Sequence, residues 1–224
     1  MKLKARLRKD RQTLAELEPR DRAVFIWDYY KIPILSTVTA LVLLVTALLS
    51  WVGKKDIAMY AVFVNSDASV VQTKPEMLDA LLAEAGIDME RKTIDITADL
   101  TLGAEYSNET DGQTIQVLAA LFGISGLDVF AAEQETFDRY AVQDAFVDLS
   151  LFLEPELYSK NGCVPYWYTG SEGREILGGL ILETGTVLQE AGFYHGEVIL
   201  GVAANAQNLE EAVAFARQLL LALD

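Results

Sequence analysis

The chain has 224 residues, which is enough for one sizeable domain with appendages and too few for a large multidomain enzyme. Its net charge of −15 is divided unevenly, because residues 1–55 carry 11 Lys and Arg against 5 acids and residues 56–224 carry 7 against 28. An acidic excess of that size excludes nucleic acid as a partner of the larger part and disfavours its contact with anionic lipid.

The first predicted element is an apolar segment over residues 32–53, which contains no charged side chain. At about 1.5 Å per residue a helix of this length spans the hydrocarbon layer of roughly 30 Å. The aromatic residues Trp27, Tyr29, Tyr30 and Trp51 stand where side chains meet the membrane interface. The segment therefore predicts one transmembrane helix in the lipid bilayer. A buried core helix and a cleaved signal peptide are the alternatives, and the 31 residues before the segment are too many for a signal peptide.

Basic residues predict the orientation of this helix. Two lysines, Lys54 and Lys55, follow it closely, and nine basic residues precede it: Lys2, Lys4, Arg6, Arg8, Lys9, Arg11, Arg20, Arg22 and Lys31. The positive-inside rule then predicts a single-pass protein of the cell membrane, with a cytoplasmic tail over 1–31 and an extracellular domain over 56–224. Leucines in the tail at helical spacing predict either a helix on the inner leaflet or a solvated helical stub: Leu3, Leu7, Leu14 and Leu17.

The first half of the acidic domain alternates between strand and helix patterns. Residues 57–65 predict a central strand, and 92–100 alternate apolar and polar side chains as an edge strand does. Helices are predicted over 75–85, which Pro75 opens and Gly86 ends, and over 109–123.

The second half continues with a strand over 127–132 and a helix over 133–143. Glycine and proline predict a loop-rich segment over 154–175. A buried strand over 198–205 precedes a final helix, where Asn208 and Glu211 predict a capping box. Strands separated by helices predict a three-layer α/β domain with a mainly parallel sheet.

Two stretches resemble a known family. They read LDVFAAEQETFDRYAVQDAFVDLSLFLE at 127–154 and VILGVAANAQNLEEAVAFARQLL at 198–220. Both are similar to extracellular solute-binding proteins of ABC transporters, the type 2 periplasmic-binding-protein-like class. The matching residues are Asp128, Val129, Phe130, Phe137, Tyr140, Ala145, Phe146, Asp148, Leu149, Gly201, Val202, Ala204, Asn205 and Asn208.

The resemblance implies a single solute-binding-protein-like lobe, since such proteins have two lobes and the domain has room for about one. If a ligand binds, the carboxyl ends of the strands are the expected place in an open α/β sheet. The candidate ligand-binding residues there are Asn65, Ser66, Asp67, Ala132 and Glu133. Ordinary turn and cap chemistry is the alternative explanation for the first three.

The sequence offers little material for catalysis, and we predict no enzyme, no cofactor and no metal site. His195 is the one histidine and Cys163 the one cysteine, so neither a metal cluster nor an internal disulfide is expected. An intermolecular disulfide through Cys163 stays open. Three adjacent aromatic residues form either a contact surface or packing beneath a loop: Tyr166, Trp167 and Tyr168.

The expected function is that of a membrane-anchored, solute-binding-protein-like module, an accessory or vestigial component of a bacterial transport system. Its expected partners are the lipid bilayer and transporter membrane subunits. The alternative is a structural or signalling protein whose α/β domain docks another surface protein through the segment 154–175. The sequence identifies no small-molecule ligand.

Overall fold

A computed structural model describes residues 18–52, 55–73, 75–103, 109–159, 162–183 and 186–223. The described residues belong to two compact units, one within 1–54 and one within 55–224. The leucines of the N-terminal tail lie outside the described residues.

Helix α1 spans Pro19–Val52 and begins 13 residues before the predicted transmembrane segment. It contains Pro33, whose carbonyl oxygen accepts hydrogen bonds from the hydroxyls of Ser36 and Thr37 at 2.9 and 2.8 Å. All side chains over residues 31–48 are exposed. Among the described residues, α1 is the one helix long and apolar enough to cross a membrane. A signal sequence can contain an apolar stretch like that of residues 31–48, so membrane location and orientation stay predictions.

The second unit is built on one six-stranded sheet. Its strands are β1 Asp56–Phe63, β2 Lys92–Thr97, β3 Val129–Ala132, β4 Cys163–Thr169, β5 Glu175–Leu182 and β6 Val198–Val202. Its helices are α2 Ala68–Thr73, α3 Pro75–Glu84, α4 Glu109–Gly123, α5 Gln134–Ala141, α6 Pro155–Tyr158, α7 Val187–Glu190 and α8 Leu209–Leu221, with a 3-10 helix at Leu149–Leu151. The strand order across the sheet is β2-β1-β3-β6-β5-β4.

The sheet is mixed, so the prediction of a mainly parallel sheet is not confirmed. Strand β1 pairs in parallel with β2 and β3, whereas β3–β6, β6–β5 and β5–β4 are antiparallel pairs. The helical crossovers that force parallel pairing occur only in the first half of the described domain. In the second half, a tight hairpin joins β4 to β5 and reverses the chain.

Hydrophobic side chains of β1 and of Val64, which follows it, point alternately to two cores, which explains why residues 58–64 contain no charged or amide side chain. Ala61 and Phe63 pack on the side of α3 and α8, where Phe215 is fully buried. Val62 and Val64 pack on the opposite side, beneath α4 and α5. Helices thus cover both faces of the sheet. The predicted edge position of β2 is confirmed, whereas β1, predicted as a central strand, lies second in the order, between β2 and β3.

The described residues of the segment 154–175 are mostly helix and strand, so the prediction of a loop-rich segment is wrong. Residues 163–169 form β4 at the edge of the sheet, and a turn at 170–174 with Gly173 at φ 76° leads into β5. Pro165 is compatible with an edge strand because its missing N–H can face away from the neighbouring strand. A register shift between Tyr166 and Trp167 marks a bulge, which is also typical of an edge.

The predicted capping box at α8 does not form, since both of its residues bind elsewhere. The Asn208 side chain donates from Nδ2 to Asp128 Oδ2 at 2.9 Å and does not cap the helix. Glu211 accepts a hydrogen bond from Lys92 Nζ at 2.6 Å. This ion pair lowers the pKa of Glu211, chiefly through that hydrogen bond.

Buried Asp128 connects three parts of the chain. Its Oδ2 also accepts from the backbone N–H of Tyr60, and its Oδ1 accepts from the backbone N–H of Asn208, each at 2.9 Å. The side chain is 2% exposed. One carboxylate therefore joins β1, the start of β3 and the start of α8 through three charge-assisted hydrogen bonds.

Candidate binding surfaces

The candidate residues after β1 lie together at the carboxyl end of that strand, where they bind the chain itself. Asn65, at φ 57°, donates to the Leu102 carbonyl at 2.9 Å and accepts from the Leu102 N–H at 2.8 Å. The Ser66 hydroxyl lies 3.1 Å from the Phe63 carbonyl and 3.3 Å from the Ala98 carbonyl. Both side chains thus fasten β1 to the segment that follows β2.

Asp67 immediately precedes the short helix α2. Its Oδ1 accepts from the hydroxyl and the backbone N–H of Ser69 at 2.6 and 3.0 Å. These hydrogen bonds lower the pKa of the Asp67 carboxyl, and attraction from exposed His195 adds to them. The turn and cap chemistry considered as the alternative is therefore what these three residues perform.

The two candidate residues after β3 differ in accessibility. Ala132 is fully buried and pairs with Ile199 of β6, so its side chain does not reach a ligand. Glu133 is exposed and precedes α5 without capping it through its side chain. Beside these residues lies Tyr194, whose hydroxyl is 3.1 Å from both the Val64 and Ala131 carbonyls. Burial raises the pKa of Tyr194, which therefore stays a phenol that holds the ends of β1 and β3 together.

The aromatic triplet is divided between the two faces of β4. The Tyr166 hydroxyl donates to Asp138 at 2.5 Å, and its ring meets Phe137 edge-on at 5.1 Å. Tyr168 lies on the same side, and burial raises its pKa to about 12. Trp167 points the other way and is 44% exposed. The structure does not bring the three rings into one contact surface, because successive strand residues face opposite sides.

A groove between α4 and α5 was not predicted from the sequence. Its cavity of about 720 Å³ is lined mainly by apolar side chains of the two helices and by the turns after α5 and β6. Helix α5 runs back from the carboxyl end of β3, and β6 runs antiparallel to β3. The groove therefore lies at the end of the sheet opposite to the strand carboxyl ends, where Asn65 is located. A signal was present in the sequence, since residues 112–127 contain no charged side chain in an otherwise acidic domain.

Cys163 is buried at the start of β4, where burial raises its pKa to about 12 and nearby Glu183 adds to the effect. Its thiol is therefore protonated and unreactive at neutral pH. An intermolecular disulfide through this residue would require β4 to leave the core. Among the described residues, no cluster of three or more His, Cys, Asp or Glu is placed to hold a metal ion.

Comparisons with known proteins identify no relative. No family model matches the chain, and searches of curated proteins and of solved structures find no significant match.

Proposed function

We propose that the protein is a membrane-anchored extracytoplasmic module, with α1 as its signal anchor, the N-terminus in the cytoplasm and residues 56–224 outside the cell. The nine basic residues before the apolar segment against two directly after it support this orientation. The acidic character of the larger part supports a domain held away from anionic lipid.

The proposed architecture of the module is one solute-binding-protein-like lobe. The two stretches that carry the family resemblance are far apart in sequence, yet they lie side by side, since Val129 pairs with Val202 and Phe130 with Gly201. Asp128 and Asn208, which belong to the two stretches, are joined by hydrogen bonds. The two stretches that carry the resemblance thus lie together in one part of the domain.

Within this architecture we propose an accessory or vestigial role in a bacterial transport system, exerted through protein contact and not through catalysis or free solute capture. The single observation that supports this choice is that the polar side chains at the strand carboxyl ends are hydrogen-bonded to the chain itself. Asn65, Ser66 and Asp67 direct their polar atoms to the chain, and Tyr194 bridges the two strand ends. A single lobe whose polar atoms at the strand carboxyl ends are already hydrogen-bonded within the chain provides only one of the two surfaces that together bury a small ligand.

Two measurements test the proposal on the full-length protein. Affinity purification from native membranes is expected to recover transporter membrane subunits. A thermal-shift screen against sugars, oligosaccharides and peptides is expected to leave the melting temperature unchanged, because a ligand of the native state raises it by mass action. A reproducible shift with one solute would contradict the accessory role and restore solute capture.

A structural or signalling protein that docks another surface protein through 154–175 is the second candidate. Exposed Val164 and Trp167 on the edge strand β4 favour it, because an edge strand presents free backbone groups beside these side chains. Recovery of an unrelated surface protein that is lost with Trp167→Ala would favour this candidate over the first.

A further inference from the structure

The C-terminal half of α4 is an apolar ridge on the surface of the acidic domain. We define the α4 ridge as residues 115–124, which read IQVLAALFGI and contain no charge. Val117 is 43% exposed and Ile124 is 71% exposed. A surface helix of a soluble domain normally carries charged residues on its outer face. The ridge therefore departs from the pattern of the remaining domain.

Grooves run along both sides of the α4 ridge. On one side, Ile115, Ala119 and Phe122 recur at helical spacing and line the 720 Å³ groove together with Val142, which is 75% exposed. On the other side, a second groove of about 580 Å³ includes Leu121, Ile124 and Ile57.

Several exposed apolar side chains of the second unit lie at the ridge. In the described part of the second unit, nine large hydrophobic side chains are exposed: Ile57, Val117, Ile124, Val142, Leu151, Phe152, Val164, Trp167 and Leu221. The first four of them belong to the ridge or its grooves. An apolar patch with polar surroundings is the usual form of a protein contact site.

The charges beside the ridge favour basic residues on the partner, chiefly at the second groove, because the first groove carries one acid and one base. Asp56 and Asp95 border the second groove, and Asp144 borders the first, which also includes Arg139. The carboxyl ends of α4 and α5 both meet the first groove and add partial negative charge there. A complementary surface therefore has an apolar centre and Lys or Arg at its rim.

Other occupants fit less well. A second copy brings the same acidic domain, 7 basic residues against 28 acids, and is repelled. Anionic lipid is repelled for the same reason. A small molecule needs most of its surface buried, whereas the exposure of Val142 shows that the first groove is open on one side.

We propose that the α4 ridge and its two grooves are the docking surface for a partner protein that presents an apolar helix with basic residues at its rim. This proposal rests on the accessory role proposed above and identifies where and by what chemistry the partner is held.

The first test uses defined peptides and the full-length protein in phosphatidylcholine nanodiscs, with empty nanodiscs as background. The probes are an 18-residue amphipathic helix of Leu and Lys and its Leu and Glu counterpart. The Lys peptide is expected to bind and the Glu peptide is not. Equal binding of the two peptides, or binding of neither, would overturn the proposal.

Two neighbouring alanines provide a matched pair of variants. Ala119 lines the first groove, whereas Ala120 is also exposed on the same helix but does not line it. Ala119→Arg is expected to weaken binding of the Lys peptide roughly tenfold or more, as loss of a central contact does. Ala120→Arg adds the same charge and is expected to change the affinity for the Lys peptide less than about threefold. Equal effects of the two variants would mean general charge attraction and would refute the docking surface.

Purification from native membranes separates failure of the surface from failure of the proposed function. If transporter subunits are recovered with the wild type and with Ala120→Arg but not with Ala119→Arg, the result supports both the transport role and the docking surface. If the subunits are recovered equally with all three proteins, the result supports the proposed function and refutes the α4 ridge as the docking surface. A different protein, recovered with the same Ala119 dependence, leaves the surface standing and overturns the transport role. A homodimer that Ala119→Arg dissociates would overturn the proposed partner in favour of a second copy.

Discussion

Replacing Asp128 by Asn is expected to destabilise the domain by about 2–3 kcal/mol. The carboxylate accepts three hydrogen bonds, two at Oδ2 and one at Oδ1. An amide keeps at most the two at one oxygen and turns its NH₂ group toward the remaining donor. Because the site is 2% exposed, water does not compensate well for the lost bond. Asp128→Ala removes all three acceptor contacts and is expected to cost about 4–5 kcal/mol.

Thermal unfolding of the full-length protein in detergent, followed by circular dichroism, measures this loss. For a domain of this size about 1 kcal/mol corresponds to roughly 2–4 °C, so Asp128→Asn should lower the melting temperature by about 5–10 °C. Asp99→Asn is the control, since exposed Asp99 should tolerate the same change within about 0.5 kcal/mol. A melting temperature of Asp128→Asn equal to that of the control would refute the role of Asp128 as the link between β1, β3 and α8.

Three further predictions concern packing, reactivity and pH. Gly201→Ala would place Cβ 2.7 Å from the Phe137 ring and 2.8 Å from a backbone carbonyl, so it should cost about 1–3 kcal/mol in urea unfolding, whereas Gly196→Ala enters open space and should be near neutral. A maleimide should label Cys163 at neutral pH at least tenfold faster in urea than in the folded protein, since burial raises its pKa to about 12; equal rates would contradict burial. The lowered pKa of Glu211 stabilises the fold above its unfolded pKa, and this contribution is lost as pH falls through the folded value. Glu211→Gln should therefore flatten the decrease in melting temperature below pH 5, and an unchanged pH profile would exclude this contribution.

Elements with local causes could be predicted from the sequence. The alternation in 92–100 predicts an edge strand, which forms over Lys92–Thr97, and Pro75 and Gly86 bracket α3. The apolar run of β1 needs only that both faces of the strand be buried. Each of these signals is read within one segment, and each segment adopts the predicted structure.

Elements whose residues are explained by contacts with other segments of the chain could not be predicted. Strand β5 contains Gly178 and Gly179, which normally weaken a strand. Here their missing side chains make room for the rings of Tyr168 and Phe137, because added Cβ atoms would approach those rings to 2.3 and 2.8 Å. The reason for the glycines therefore lies in β4 and α5, and a pattern within β5 does not reveal it.

The candidate site shows the same division. Sequence reasoning correctly places Asn65 and Ser66 at the end of a strand, yet their partners at residues 98–102 are contributed by another segment. Whether a polar residue at a strand end faces a ligand or the chain depends on that second segment. The capping box fails for a similar reason, since Asn208 meets a buried carboxylate 80 residues away.

The strand carboxyl ends and the α4 ridge, which lie at opposite ends of the sheet, also differ in the interactions that a partner would have to break. Binding at the strand carboxyl ends would compete with both hydrogen bonds of the Asn65 amide, each worth about 1 kcal/mol net, and would leave the Leu102 backbone groups unpaired. Binding at the α4 ridge breaks no described hydrogen bond of Val142 or Ile124 and removes their apolar surface from water at about 25 cal/mol per Å². On these two terms the ridge is the less costly place for a partner to bind, which supports the proposed protein docking there over solute capture at the strand carboxyl ends.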